Sequence, residues 1–184
     1  MRPVERDELV DYQTYESQRE DLRRQVMQVK QPRRVHVGEY LTFLFENRDT
    51  VRYQVQEMMR AEKIVKEAEI RRELETYNEL LGGPGGLGCT LLIEVEDPAL
   101  RDVKLREWLE LPRHIYVKLA DGRKVQASFD PRQVGEDRVS SVQFLQFDTK
   151  GELPEALGSD LPQLAVEATL TEVQRQALAD DLKP

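Results

Sequence analysis

The chain has 184 residues, 39% hydrophobic and 34% charged, with a net charge of −8. That length suffices for one domain with a real core. The acidic balance argues against nucleic-acid or anionic-membrane binding, both of which need clustered Lys and Arg. One cysteine leaves no internal disulfide, cysteine zinc site or iron–sulfur cluster within these residues.

The first periodic segment, "DELVDYQTYESQREDLRRQVMQVKQ", sets Leu9, Tyr12, Tyr15, Leu22, Val26 and Val29 at three- and four-residue steps. This spacing predicts a helix over 7–31, with Asp7 and Asp11 as candidate caps and Pro32 as its stop. Two strands follow, "RRVHV" and "YLTFLFE". A tight turn at Gly38-Glu39-Tyr40 places Val35 and Val37 on the face of Leu41, Phe43 and Phe45.

A helical segment is expected over 49–81, with Asn47 or Asp49 as its cap. Val51, Val55, Met58 and Met59 form a narrow apolar stripe that would seat it on a sheet. The pattern weakens near Ile64-Val65 and resumes with Ile70, Leu74, Tyr77 and Leu81. One long helix with a break and a helical hairpin both fit. At about 100° per residue, Gln54 shares a flank with Glu57, whereas Gln56 groups with Arg52 and Arg60.

Residues 82–88, "GGPGGLG", contain a literal G-x-G-x-x-G. The dinucleotide fingerprint needs strand, glycines, then helix. Here the order is helix, glycines, then strand, so the segment reads as a connecting loop. A sheet-rich part is expected over 89–148. It starts with the strand "CTLLIEV" and a helix opened by Asp97-Pro98, whose apolar side is Leu100, Val103, Leu105, Trp108 and Leu109.

In "IYVKLADGRKVQASF" a two-residue Asp-Gly loop would pair apolar with polar positions. A three-residue loop, Ala120-Asp121-Gly122, sets Val117 opposite Val125 and Ile115 opposite Ala127. It predicts a bulged turn with Gly122 left-handed. "SVQFLQF" is apolar on both sides and reads as a central strand.

An extended piece, "QLAVEAT", precedes a C-terminal helix over 171–182 capped by Thr171 and Gln174. Val173, Ala177, Leu178 and Leu182 are its expected buried side. The whole reads as a single α+β domain, with helices packed on a mostly antiparallel sheet.

Chemistry-bearing residues are sparse. His36 and His114 lie in or beside strands with no sequence-adjacent partner, and Cys89 is expected to be a buried thiol. No metal site and no cofactor are predicted. The carboxylates of interest are Glu46, Glu57, Glu62 and Glu94. A small-molecule pocket, where the 51–64 helix meets the sheet, would be lined by Glu46, Arg48, Gln54, Glu57, Tyr77, Asn78 and Glu94, with Tyr53 and Arg60 at its rim. The other flank of the helix, Arg52, Gln56 and Arg60, would face a partner protein.

"LTFLFENRDTVRYQVQEMMRAEKI", "ELETYNELL" and "TLLIEVEDP" resemble the bacterial domain of unknown function 3501 family. The resemblance runs from the first helix to the "ALADDL" ending. It implies a setting beside rubrerythrin-like proteins and an iron–sulfur oxidoreductase, and it transfers no catalytic residue. Without an apolar run of about 18 residues, the expectation is a cytoplasmic protein with no membrane association. Its leading role is that of a non-catalytic accessory protein of a redox or oxidative-stress system.

Overall fold

The structure is a computed structural model that describes residues 1–183. In chain order, residues 1–11 run as an irregular strap into α1 (Tyr12–Lys30). The strands β1 (Arg34–Val37) and β2 (Leu41–Glu46) come next, followed by helices α2 (Arg48–Ala61) and α3 (Glu67–Asn78). The middle of the chain holds β3 (Leu87–Ile93), α4 (Pro98–Glu107), the short α5 (Leu111–His114), β4 (Ile115–Leu119), β5 (Lys124–Gln126) and β6 (Ser128–Phe129). It ends with β7 (Val142–Phe147), β8 (Pro154–Leu161), β9 (Leu164–Thr169) and α6 (Glu172–Leu182).

The strands form two antiparallel sheets, ordered β1-β2-β3-β7-β6 and β5-β4-β8-β9. Alternation along each strand turns one face inward. Val35, Phe43, Phe45 and Leu91 of the first sheet share one core with Ile115, Val117 and Leu157 of the second. The chain crosses between sheets where β5 runs into β6, and the Ala127 N–H still donates to the Ile115 carbonyl at 2.9 Å. At another margin Gly38 lies against Val166 of β9, 3.0 Å from where its Cβ would stand. The result is a β-sandwich pinched at both margins.

The outer face of the first sheet carries the helical layer. Thr90 of β3 and Thr50 of α2 both donate to the Glu46 carboxylate, and the Gln146 side chain of β7 donates to the Glu79 and Leu81 carbonyls beyond α3. Helices α2 and α3 form the hairpin, packed through Val51, Val55, Met59, Ile70 and Leu74. The break is a Schellman motif: Lys63 takes a left-handed φ of 51°, the Ile64 N–H reaches the Met59 carbonyl, and the Lys63 N–H reaches that of Arg60.

Several expectations change. Helix α1 begins at Tyr12, after an Asp11 cap, so Leu9 belongs to the strap. The Val51–Val55–Met59 stripe meets helix α3 and the strap rather than a sheet, and Met58 is only half-buried. Two sheets replace the single one, because β8 escaped the reading of the sequence. Leu100, Val103 and Val173 are exposed, leaving Leu105 and Trp108 to bury the side of α4. Strand β7 lies beside the two-residue β6, and its outer face, with Val142 and Phe144, is open.

Candidate functional site

The strap is the organising feature of the helical face. Val4 and Leu9, 2% and 5% exposed, sit in the core formed by Val51, Val55, Met59, Ile64, Ile70 and Leu74. Two amide side chains grip its backbone. Asn78 of α3 accepts the Val4 N–H at 2.8 Å and donates to the Val4 carbonyl at 3.0 Å. Gln56 of α2 accepts the Val10 N–H at 2.8 Å and donates to its carbonyl at 3.1 Å. Arg48 donates to the Arg2 and Pro3 carbonyls and forks onto the Glu8 carboxylate. This guanidinium, the foremost cause, holds the Glu8 carboxyl below its ordinary range. Arg6 adds an ion pair to Glu67.

The opposite flank of α2 faces α1. The Tyr15 hydroxyl donates to Glu57 at 2.6 Å, and the Arg19 fork donates to both Glu57 oxygens at 2.8 and 3.0 Å. Burial pushes the Glu57 pKa up, but the hydrogen bonds from Arg19 and Tyr15 outweigh it and the net shift is downward. Glu57 is thus held ionised, the reverse of what a general acid needs. Burial, with the Glu57 hydrogen bond, drives the Tyr15 phenol far above its usual range.

Beside this network a cleft of about 300 Å³ opens between α1, α2 and the strap. Leu22, Val26, Val29 and Tyr53 line it together with Arg52 and Gln56. Tyr53 is 8% exposed, and its hydroxyl makes no hydrogen bond among the described residues. Burial raises its pKa.

The seven residues predicted to share a pocket are therefore divided among separate places. Arg48 and Asn78 hold the strap, and Glu57 holds α1. Glu46 is buried against Thr50 and Thr90 inside the helix–sheet junction. Glu94, just past the end of β3, accepts from Thr42 of β2, which also meets His36 of β1. Gln54 is half-buried on α2. Tyr77 lines a second groove, of about 620 Å³, with Leu80, Phe129, Phe144 and Gln146. The partner-facing trio also separates: Gln56 is buried on the strap, Arg52 pairs with Asp49, and Arg60 approaches Glu16 and Glu57. Val4, Val10, Arg19 and Phe144 carry these sites without having been singled out in the sequence, and Tyr15 was read only as part of the apolar stripe of the first helix.

Other titratable groups are committed to structure. Arg33 forks onto Asp181 of α6 at 2.7 and 2.9 Å, and Asn47 also donates to Asp181. His114 meets Asp160 at 2.9 Å. Burial, reinforced by the nearby Glu46 carboxylate, pushes the Cys89 thiol well above its ordinary value. Such a thiol is a poor nucleophile. No cluster of three or more His, Cys, Asp or Glu placed to hold a metal occurs among the described residues.

The model of the family described as "Protein of unknown function (DUF3501)" matches residues 3–182. No curated protein matches the chain. A crystal structure at 1.90 Å of a novel protein of unknown function from Burkholderia pseudomallei K96243 is similar throughout, with 28% identity and a TM-score of 0.89. The similarity covers 99% of this chain and 100% of that one. Among the described residues no helix is long and apolar enough to cross a membrane.

Proposed function

For a chain that belongs to the DUF3501 family, we propose the role of a non-catalytic accessory protein that binds a partner protein in a cytoplasmic redox or oxidative-stress system. The observation that carries the binding role is the open groove on the outer face of β7. Phe144 stands 43% exposed there, and Val142, 38% exposed, continues the same face of β7 beyond the groove lining. Phe144 joins Tyr77, Leu80 and Phe129 along the groove, with Glu79, Asp130 and Gln133 among its polar lining residues. Exposed aromatic side chains with a polar rim are what protein interfaces enrich. The redox setting rests on the family resemblance, which points to rubrerythrin and an iron–sulfur oxidoreductase as the partners.

The test is titration calorimetry of the purified chain against each of these two proteins from the same cell. Binding to one of them is expected, weakened about tenfold or more by Phe144→Ser, as for an interface anchor. Absence of binding to both overturns the proposal.

A second reading, small-molecule binding, is favoured by the Tyr53 hydroxyl, which has no protein partner and lines the α1–α2 cleft. A phenol whose ring is buried and whose hydroxyl opens into a cleft is placed to meet a ligand's polar atom. Native mass spectrometry of the protein purified from its own cells reads this directly. A retained small molecule that Tyr53→Phe releases supports the reading, and a bare mass removes it.

A further inference from the structure

The strap is attached to the helical face in the manner of a bound peptide. Its backbone hydrogen bonds are internal, from Glu8 to Glu5 and from Leu9 to Arg6, or lead into α1, from Tyr15 to Asp11. Among the described residues, no backbone–backbone hydrogen bond joins residues 1–11 to α2 or α3. Side chains of the body reach out to its main chain instead. Asn78 satisfies both backbone groups of Val4, and Gln56 satisfies both of Val10. A carboxamide matches an N–H and a C=O together whatever side chain the residue carries, so this grip reads an extended main chain rather than a sequence.

Selectivity comes from three further contacts. Val4 and Leu9 fill two apolar sockets in one hydrophobic cluster. Arg48 forks onto the Glu8 carboxylate that precedes the second socket residue, and the same guanidinium takes two strap carbonyls. Between the clamps the strap makes one 3-10 turn, Arg6–Glu8. A groove with backbone clamps at both ends, two sockets and one cation for a carboxylate therefore has the parts of a receptor for a peptide that is extended at its ends and turned in its middle.

We infer that the α2–α3 face is a peptide-docking groove that the chain's own residues 1–11 occupy in cis. A partner protein's segment with the same central turn displaces them, carrying an apolar residue and, four and five positions on, Glu and an apolar residue. The strap defines that chemistry through Val4, Glu8 and Leu9. This groove is separate from the one lined by Phe144, so the inference stands or falls independently of the partner proposed above.

Occupation in cis sets the expected behaviour. A peptide that competes with the strap sees only the fraction of molecules whose groove is free, and its apparent affinity drops by that fraction. The probe is a fluorescent peptide of the strap sequence, MRPVERDELVD, added to the full-length chain. Anisotropy should show weak binding to the unaltered protein. Binding should tighten at least about tenfold when the chain's own strap carries Val4→Asp and Leu9→Asp, which free the groove without altering it. Adding Asn78→Ala and Gln56→Ala to that chain should abolish the gain.

A strap variant with a native circular dichroism spectrum and no peptide binding overturns the inference, as does binding indifferent to Asn78 and Gln56. Should the strap variant fail to fold, hydrogen exchange on the unaltered chain decides. A saturating excess of unlabelled peptide should accelerate exchange at the Val4 and Val10 amides, and unchanged rates overturn the inference. A dimer of the unaltered chain that the peptide dissolves would place a second copy's strap in the groove, and that too overturns the partner assignment.

Discussion

Asn78 and Val4 are joined by a two-point contact across 74 residues of sequence, the amide accepting at 2.8 Å and donating at 3.0 Å. Val4 is buried, so losing the contact strands an N–H and a carbonyl away from water. Asn78→Ala should lower unfolding free energy by about 1–2 kcal/mol. Asn78→Asp should cost at least as much, since it sets a carboxylate against the Val4 carbonyl. Urea denaturation reads the loss, and trypsin cleavage after Arg6 should quicken in both variants. A melt unchanged by either substitution would remove the clamp from the fold's energetics.

Arg33 and Asp181 form a buried ion pair, with side chains 10% and 7% exposed, that ties α6 to the turn after α1. Asp181→Ala leaves a guanidinium buried without its carboxylate and should cost about 3–5 kcal/mol. The paired replacement Arg33→Met with Asp181→Leu removes both charges, and should recover most of that loss. Chemical denaturation of the three variants tests the ordering. A double variant no more stable than Asp181→Ala contradicts it.

The hairpin over 115–129 was legible because parity alone decides its loop. The three-residue turn is the one that sets Val117 opposite Val125, and the structure has that register with Gly122 at φ 84°. Likewise the turn at Gly38 follows from Val35 and Val37 facing the same core as Phe43. Strand β8 was not legible, since Pro154, Gly158 and Asp160 are residue types that strands disfavour. Gly158 is instead a packing requirement: an added Cβ would stand 2.1 Å from the Val166 carbonyl of β9. The α2–α3 break could be placed only near Ile64-Val65, because Lys63 supplies the left-handed residue where glycine is the usual signal. Three polar residues of α2 and α3, Arg48, Gln56 and Asn78, were identified by type, but their true partners include backbone groups of the strap. Side-chain periodicity carries no trace of those, so Arg48, Gln56 and Asn78 were assigned to a ligand or a partner.

Glu57 gives the helical layer an acid-sensitive joint. Its folded pKa lies below the ordinary 4.5 despite burial, because Arg19 and Tyr15 hydrogen-bond the carboxylate. The unfolded chain therefore takes up the proton first as pH falls. The stabilisation is complete above pH 4.5 and is lost as pH drops through the folded value. Glu57→Gln should be less stable than the unaltered protein by about 2 kcal/mol near neutral pH. That gap should narrow as pH falls below 4.5 and on through the lowered folded value, beneath which the carboxyl is protonated in both states. Urea melts across that range measure it, and a gap independent of pH would show that the ionised form is not what the network stabilises.

The glycines of 82–88 separate a folding requirement from a ligand-binding one. An added Cβ on Gly88 would lie 1.7 Å from the Leu80 carbonyl oxygen and 2.8 Å from the Gly82 nitrogen. Both are backbone atoms of the segment that caps the helical hairpin against β3, so neither moves without shifting that layer. On Gly83 the same Cβ meets nothing within 4 Å. Gly88→Ala should therefore cost about 3 kcal/mol or more, as overpacking against main chain does, and lower the Tm by about 6 °C or more. Gly83→Ala should stay within about 0.5 kcal/mol. A phosphate-binding loop would give another pattern, with both variants folding normally and both losing a nucleotide ligand. Thermal melts of the two variants, with and without added dinucleotide, distinguish these outcomes. Equal stability of the two would mean that the approach of Leu80 to Gly88 is not what selects glycine there.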